Sequence, residues 1–433
     1  MPENFYHIGL DLGTSAIKGV LLSASDSRII ATASRLTTYN HPHPDWVEAD
    51  PNGLFADLTA VIRELAAAAP GSVKSIAAAA ASGNTLLTDA AGTPLTPVIN
   101  WMDKRCVNNL PPTIADLTPA EIRQITGWPC HDIFPLAHIA WFRQHQPRLL
   151  DSAAHVCMNT DWLLYRLCGR WLMDHSTATT SLLQNQTTLQ WHTPFLDRLG
   201  IRPDQLSCLV PSGAIAAPLT PAAAAATGLT TATVAVTGTF DHPSAARAVG
   251  VLKPGQLMLS CGTSWVAFLP APQRSDIVKA ELLCDPFLST TGGPWAGMFS
   301  VPAIGPTIDW YVENLIAPNS PAPLKVFDDL AAATPHGAHG LTINLEAPPQ
   351  HLSAPPAHIA RAVMEGAARA LANRIAKLRQ YGFEFESAVM VGGPSKSPIW
   401  PNIVATTTGL KITVGSAHAG AAGAAMLAAK ATT

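Results

Sequence analysis

The most constraining feature of this chain is a Gly-Thr-Ser turn that occurs twice, each time after an apolar strand-like run. The first copy lies in "HIGLDLGTSAIKGVLL", which begins at His7, and the second lies in "LSCGTSWVAF", which begins at Leu259. One such turn is compatible with an ordinary hairpin. Two copies, about 250 residues apart in a chain of 433 residues, predict that the same strand–turn–strand unit is built twice.

The elements around each turn support a duplicated α/β architecture. Residues 5–36 read as three strands, and a helix follows at about 51–68, with Pro51 in the first turn. Later in the chain a strand, "TVAVTGTFD", precedes the second turn, and a long helix, "HIARAVMEGAARALANRIAKLRQYG", follows it. A last strand and an Ala/Gly-rich helix end the pattern. We therefore predict two domains, 1–240 and 241–433, in keeping with the length of the chain.

Both turns have the chemistry of a phosphate site. Clustered backbone N–H groups and small hydroxyl side chains form a concavity that phosphate oxygens can enter. Two such turns, one per domain, predict that a nucleotide polyphosphate is gripped from both sides. The residues that we expect to bind the ATP phosphates are Gly13, Thr14, Ser15, Lys18, Gly262, Thr263 and Ser264.

Two carboxylates stand near these turns. Asp11 precedes Gly13 by two residues, where it can reach a phosphate-bound Mg²⁺, an ion that takes few protein ligands. Asp241 ends a buried strand and begins a helix, which makes it the best candidate base for a hydroxyl acceptor. The alternative for Asp241 is a helix N-cap, and the two roles are compatible.

A third motif, "VMVGGPSKSPIW", is a strand that ends in two glycines. Such a strand end lets a flat ring approach the backbone, and nearby polar side chains can bind a nucleoside. The residues that we expect to contact adenosine are Gly392, Gly393, Ser395 and Asn402.

Composition narrows the class of protein. The net charge of −3 and the absence of a basic run argue against nucleic acid as a partner. The Ala-rich runs fall short of a membrane span, and the first residues lack a secretory pattern, so we expect no membrane partner and a cytoplasmic protein. Seven scattered cysteines without a CxxC pair favour free thiols over disulfides or zinc.

Taken together, these motifs resemble the FGGY family of carbohydrate kinases, and within it they are most similar to xylulokinases. The resemblance covers nearly the whole chain and also includes "HPHPDWVEADP", "INWMDKR" and "RAVMEGAARALANRI". It implies the two-domain actin/hexokinase/Hsp70-like fold, a duplicated ribonuclease-H-like α/β fold with an interdomain catalytic cleft. It also implies ATP and Mg²⁺ as cofactors, Asp11 as the metal-side carboxylate and Asp241 as the base.

The resemblance places Trp101, Asp103 and Arg105 near the sugar. The alternative for these residues is packing and salt bridging on the surface. The loop Ser82-Gly83-Asn84 departs from the family, because xylulokinases usually carry Gln-Met-His there. We expect Ser82 and Asn84 to bind the acceptor, with the Asn84 amide hydrogen bonding to its hydroxyls.

The expected reaction is transfer of the ATP γ-phosphate to a small sugar, D-xylulose foremost, which would give D-xylulose 5-phosphate. Because of the altered loop, another ketose, a polyol such as a tetritol or glycerol, or an aldonate remains an alternative acceptor. A non-catalytic protein that senses ATP or sugar on the same fold is a remoter alternative. The sequence is also compatible with a homodimer.

Overall fold

The structure is a computed structural model that describes residues 5–107, 109–129, 132–301 and 304–432. The chain divides into two compact units, which are described separately. Unit 1 takes in Met1–Ala248, Asp285–Thr291 and His418–Thr433, and unit 2 takes in Val249–Cys284 and Gly292–Ala417. The predicted division at 240/241 differs from this partition, because the helix that begins at Asp241 and the last helix of the chain both belong to unit 1.

Unit 1 is built on a mixed sheet. Its strands are β1 (Phe5–Leu12), β2 (Ala16–Ser23), β3 (Ile29–Leu36), β4 (Glu48–Ala49), β5 (Ser72–Ala80), β6 (Leu86–Thr88), β7 (Val98–Ile99), β8 (His155–Cys157), β9 (Leu172–Asp174), β10 (Gln184–Asn185), β11 (Gln190–Trp191), β12 (Cys208–Val210), β13 (Ile215–Pro218) and β14 (Val234–Phe240). Within the described ranges the central sheet has the order β13-β14-β5-β1-β2-β3. Strand β1 runs antiparallel to β2 and parallel to β5, and β14 runs parallel to β5.

Unit 1 also contains helices, some of which pack against this sheet. They are α1 (Pro51–Ala67), α2 (Pro119–Thr126), α3 (Pro135–His145), α4 (Pro147–Ser152), α5 (Asn159–Cys168), α6 (His175–Thr179), α7 (Thr193–Leu199), α8 (Pro221–Thr227) and α9 (Asp241–Ala248). Helix α1 begins where the sequence predicts it, because Asp50 caps it and Pro51 occupies its first turn. Its buried face, which includes Leu58, Ile62 and Leu65, packs with the apolar residues of β1 and β2.

Unit 2 repeats the strand pattern of unit 1. Its strands are β15 (Gln256–Cys261), β16 (Trp265–Ala271), β17 (Leu283–Asp285), β18 (Trp295–Val301), β19 (Ser387–Gly392) and β20 (Lys411–Val414), and its helices are α10 (Arg274–Lys279), α11 (Ile304–Tyr311), α12 (Pro323–Ala332), α13 (Pro356–Gln380) and α14 (Trp400–Thr408). The described strands follow the order β17-β18-β16-β15-β19-β20. Strand β15 is antiparallel to β16 and parallel to β19, just as β1 is to β2 and β5. The two Gly-Thr-Ser turns therefore join equivalent strands, and the predicted duplicated α/β fold is confirmed.

The last helix, α15 (Ala419–Thr432), belongs to unit 1 and packs on the face of its sheet. A Cβ atom on Gly9 of β1 would lie 2.0 Å from the backbone oxygen of Ala421. This close approach explains the composition of the segment, because only small residues let a helix backbone sit directly on a strand. The Ala/Gly-rich sequence is a packing surface.

Two further expectations concern the cysteines and the membrane. The six cysteines within the described ranges are free thiols, and Cys130 lies outside those ranges. Among the described residues, none of the helices combines the length and the hydropathy that crossing a membrane requires.

Candidate active site

The first Gly-Thr-Ser turn joins β1 to β2 and is closed by a hydrogen bond from the Gly13 amide to the Ala16 carbonyl at 3.1 Å. Asp11 and Lys18 are direct partners across these two antiparallel strands, so their side chains stand on the same face of the sheet. A carboxylate and an ammonium group therefore flank the turn, as the sequence predicts.

Thr14 is held on two sides by residues from two other segments of the chain, Trp101 and Tyr39. The Trp101 indole Nε1 donates to the Thr14 hydroxyl at 3.1 Å, and the Tyr39 hydroxyl donates to the Thr14 carbonyl at 2.7 Å. The amide of Thr37 donates to the Ser15 carbonyl at 3.1 Å. The turn therefore has a fixed shape before any ligand binds, and Trp101 lies beside it. Tyr39 was missed because a lone tyrosine in a loop carries no pattern.

Asp11 and Asp241 form a coupled pair of acids. Burial and, to a smaller extent, the nearby Asp241 charge raise the pKa of Asp11 to about 7, and Lys18 opposes both effects. Burial also raises the pKa of Asp241, against the opposing influence of His242. The two carboxyl groups thus influence each other. Raised pKa values of this kind are typical of acid–base sites.

Asp241 also shows part of the capping role that was its alternative. Helix α9 begins at Asp241, and the carboxylate oxygen Oδ1 accepts a hydrogen bond from the amide of His242 at 2.6 Å. The side chain keeps 27% of its surface exposed. A carboxylate that caps its own helix and remains accessible can still accept a proton from a ligand.

The beginning of α15 lies against Asp11. A Cβ atom on Gly420 would be 2.5 Å from the Asp11 carboxylate oxygen, and the Ser244 hydroxyl donates to the Gly420 carbonyl at 2.7 Å. Helix α9, which begins at Asp241, is thereby tied to the helix that borders Asp11. No sequence pattern distinguishes Gly420 from the small residues around it.

A row of aromatic side chains extends from Trp101 toward Asp241. Gly83, at φ +94°, leaves room for the ring of Phe134, whose nearest atom would lie 2.5 Å from a Cβ atom at that position. Phe134 meets Trp128 at 5.6 Å between ring centroids, and Trp128 meets Phe240 at 5.7 Å. Phe240 in turn meets His242 at 5.5 Å. These rings were not predicted, because they come from three separate segments.

The charged residues of the predicted sugar segment are engaged inside the protein. Asp103 is fully buried, receives the backbone amide of Val47 at 2.7 Å, and pairs with Arg105 at 2.8 Å. Arg105 also pairs with Glu48 at 2.7 Å and stacks on Trp46. The packing and salt-bridging alternative describes Asp103 and Arg105 better, although the pair is buried and not at the surface.

The Asn84 amide, which the sequence predicts to bind the acceptor, is hydrogen bonded to Asn159 in the structure. Asn84 is 1% exposed, its Nδ2 donates to the Asn159 side-chain oxygen at 2.9 Å, and its own oxygen accepts from the Asn159 amide at 2.7 Å. Ser82 is 4% exposed, and its hydroxyl donates to the Ala80 carbonyl at 3.3 Å. Both side chains therefore hold the loop, and Asn84 fixes it to the beginning of α5.

The second Gly-Thr-Ser turn borders a cavity of about 470 Å³ that lies within unit 2. Gly262 closes the turn by donating to the Ser264 carbonyl at 3.2 Å, and Gly305 donates to the Thr263 carbonyl at 2.9 Å. The cavity combines apolar rings with charged groups at its edge. Its lining includes Gly262, Thr263, Trp265, Asp309, Phe327, Asp328, Gly393, Lys396, Ser397 and Trp400.

The predicted adenosine residues divide around this cavity. Gly393 lines it, whereas the neighbouring Gly392 makes the strand end possible: its φ is +97°, and a Cβ atom would lie 2.2 Å from the Cys261 carbonyl oxygen. Ser395 is buried and donates to the Gly392 carbonyl at 2.7 Å. Asn402 is exposed on α14 and is not among the lining residues. The rings of Trp265, Phe327 and Trp400 were missed as lining residues.

A divalent cation would have few protein ligands here. Within the described residues, no group of three or more His, Cys, Asp or Glu side chains is placed to hold a metal ion. The Asp11 carboxylate beside the turn fits Mg²⁺, because that ion prefers oxygen ligands and usually keeps its waters and the substrate phosphates.

Two equivalent strand–turn–strand units, each with a Gly-Thr-Ser turn, define a two-unit protein with a duplicated α/β fold, and its first unit carries the buried acids Asp11 and Asp241. Comparison with known proteins identifies the family. The N-terminal domain model of the FGGY family of carbohydrate kinases matches residues 6–248, and the C-terminal domain model matches residues 331–432. The chain belongs to this family and is a sugar phosphotransferase.

Individual relatives differ in their substrates. The chain is 28% identical over 424 residues to a xylulose kinase of Escherichia coli (strain K12), which covers 94% of this chain and 85% of that protein. It is 26% identical over 459 residues to an autoinducer-2 kinase of Yersinia pestis, and the alignment covers 95% of this chain and 83% of that protein. Among solved structures, xylulose kinase from Rhodospirillum rubrum superposes with a TM-score of 0.85 at 26% identity and covers 99% of this chain and 91% of that one.

Proposed function

We propose that this carbohydrate kinase transfers the γ-phosphate of ATP to a hydroxyl of a small, uncharged sugar, with D-xylulose as the foremost acceptor and D-xylulose 5-phosphate as the product. The observation that carries the proposal is the Asp11–Asp241 pair, which lies in one unit with the Gly13–Ser15 turn and Lys18. This arrangement provides phosphate binding, a metal ligand and a base.

In the proposed mechanism Asp241 accepts the proton of the acceptor hydroxyl as the oxygen attacks the γ-phosphorus. Burial raises the pKa of Asp241 above that of an ordinary carboxyl, and an upward shift makes a carboxylate a stronger base. Amides of the turn and Lys18 bind phosphate oxygens. Asp11 would hold Mg²⁺, which supplies positive charge to the phosphates when bound.

The nucleoside would occupy the unit 2 cavity beside Thr263 and Gly393. Its volume of about 470 Å³ falls in the range of small-molecule sites. The rings of Trp265, Phe327 and Trp400 offer an apolar surface for a base. Asp328 and Lys396 stand among them as candidates for polar contacts.

The aromatic row favours an uncharged acceptor. Phe134, Trp128 and Phe240 form a series of ring contacts that ends at the residue before Asp241, and sugars pack C–H faces on aromatic rings. Arg105, which follows Trp101 by four residues, is neutralised by Asp103 and Glu48. D-xylulose is preferred over other ketoses and polyols because of the similarity to xylulose kinases.

The test is ADP release measured with D-xylulose, other ketopentoses, tetritols, glycerol, gluconate and autoinducer-2 as acceptors. We expect the highest kcat/KM with D-xylulose. A higher value with another acceptor would overturn the choice of D-xylulose alone. No acceptor-dependent ADP release across the panel would overturn the activity and favour a protein that only binds ATP or sugar.

Asp241→Asn tests the base. We expect turnover to fall by ~10²-fold or more while ATP binding, measured by calorimetry, stays nearly unchanged. Turnover close to that of the parent protein would exclude Asp241 as the base.

A further inference from the structure

The segment Asp285–Thr291, here called the strap, lies in unit 1 although the chain on both sides of it lies in unit 2. Asp285 is fully buried and Phe287 is 2% exposed. The Phe287 amide donates to Asp285 Oδ1 at 2.7 Å, and Phe287 adopts φ +43°. The first three residues of the strap are therefore buried, and a hydrogen bond within them fixes the backbone.

The first attachment of the strap reaches the residue before the proposed base. The Ser176 hydroxyl donates to Asp285 Oδ2 at 2.7 Å and accepts from the Phe240 amide at 3.3 Å. A hydroxyl has one proton, so the Asp285 acceptor directs the Ser176 proton away from Phe240 and leaves a lone pair for its amide. The end of β14 is thereby held.

The second attachment reaches the last turn of α9. Arg247 Nη2 donates to the Phe287 carbonyl at 2.9 Å, and the guanidinium carbon lies 4.6 Å from the centroid of the Phe287 ring. Burial lowers the pKa of Arg247, and the charges of Asp285 and Asp174 oppose that shift. The strap thus contacts the chain on both sides of Asp241.

We propose that Asp285 is a positioning residue: through Ser176 and Arg247, the strap holds the β14–α9 junction so that the Asp241 carboxylate points at the acceptor hydroxyl. This inference rests on the proposed role of Asp241. A misplaced catalytic group costs rate more than binding, whereas a merely structural contact would cost stability and leave the turnover of folded protein unchanged.

The chain offers a matched control for Ser176. Ser181, buried in the same unit, also donates one hydrogen bond, to the Ala178 carbonyl at 2.6 Å, and accepts one, from the Leu183 amide at 3.0 Å. Ser176→Ala and Ser181→Ala therefore remove equivalent hydrogen bonds, and only the first disconnects the strap from Phe240.

The experiment measures kcat, both KM values and the melting temperature for Ser176→Ala, Ser176→Thr, Asp285→Asn and Ser181→Ala, with the acceptor found most active. We expect Ser176→Ala and Asp285→Asn to lower kcat by ~10-fold with both KM values within about twofold. The Ser176→Thr variant, which keeps the hydroxyl, should regain most of the rate, and Ser181→Ala should lower only the melting temperature.

Two outcomes separate this inference from the proposed function. If Asp241→Asn abolishes turnover but Ser176→Ala and Asp285→Asn keep the kcat of Ser181→Ala, the positioning role is wrong and the base assignment stands. If Asp241→Asn retains turnover, the base assignment fails and the positioning role fails with it.

Discussion

The Trp101 indole donates a hydrogen bond to the Thr14 hydroxyl across 87 positions of sequence, at 3.1 Å. A residue predicted to bind the acceptor therefore also shapes the turn predicted to bind phosphate. This contact gives a direct physical route by which a shift of the Trp101 ring on acceptor binding would act on the Thr14 hydroxyl.

Trp101→Phe should raise the KM for ATP by several-fold, because the ring remains but the donor to Thr14 is lost. Thr14→Val removes the same hydrogen bond, so the double variant should be no worse than the poorer single variant. Trp191→Phe is the control: its Nε1 donates to the Ser207 carbonyl at 2.9 Å, away from the turn. Additive effects of the two substitutions in steady-state kinetics would refute the coupling.

The stability of the protein should increase when Asp11 is replaced by Asn, and the gain should depend on pH. The Asp11 pKa is raised to about 7 in the folded protein, so the folded state holds a proton that the unfolded chain releases near pH 4. Stability contributed by that proton is complete at low pH and is lost as the pH rises to about 7. Asp11→Asn removes this loss.

We therefore expect the advantage of Asp11→Asn to grow from near zero at pH 4 to about 4 kcal/mol at pH 8, measured by urea unfolding without ligands. Asp89→Asn is the control, because hydrogen bonds from Thr93 and Ala91 lower the pKa of Asp89. Its effect should stay flat between pH 5 and 8. A pH-independent gain for Asp11→Asn would contradict the burial of an ionisable carboxyl at this position.

The two glycines that end β19 should respond differently to alanine. Gly392 has φ +97° and no room for a Cβ atom, so Gly392→Ala should cost about 2–4 kcal/mol of stability. A Cβ atom on Gly393 would meet nothing within 4 Å, and Gly393 lines the unit 2 cavity. Gly393→Ala should therefore keep the melting temperature and raise the KM for ATP. An unchanged KM would remove Gly393 from the nucleoside site.

The sequence predicted the parts of the site that are local in the chain. The two turns, the Asp11–Lys18 pair and Asp241 follow from strand ends and turn residues, which are short-range patterns. The approach of Gly420 to Asp11 and the bond from Ser176 to Asp285 join residues more than 100 positions apart. The sequences of α15 and of the strap contain no pattern that indicates these partners, so only the fold reveals them.

The fold was predictable for a related reason. Strand–turn–strand units repeat as sequence, so the duplicated sheets could be expected from "GLDLGTSAIKGVLL" and "LSCGTSW". The position of α15 in unit 1 could not be predicted from the sequence, because most of its side chains are small. The position of α15 depends on Gly9, which permits contact with Ala421. A single glycine inside a strand does not indicate which element packs on it.

The sequence and the structure lead to different predictions for the effect of Asn84→Ala. The sequence alone suggests that Asn84→Ala raises the acceptor KM, because a free amide would bind sugar hydroxyls. In the structure Asn84 bonds to the side chain and the amide of Asn159. We therefore expect Asn84→Ala to cost about 1–3 kcal/mol of stability and to leave the acceptor KM within about twofold.

Asn159→Ala should cost less than Asn84→Ala, since the backbone amide of residue 159 still donates to the Asn84 oxygen. The double variant should be about as stable as Asn84→Ala alone, because that change already removes both hydrogen bonds. Thermal unfolding of the three variants, together with acceptor kinetics, provides the measurement. A rise of tenfold or more in the acceptor KM of Asn84→Ala at unchanged stability would show that the amide binds the acceptor and that its contact with Asn159 is secondary.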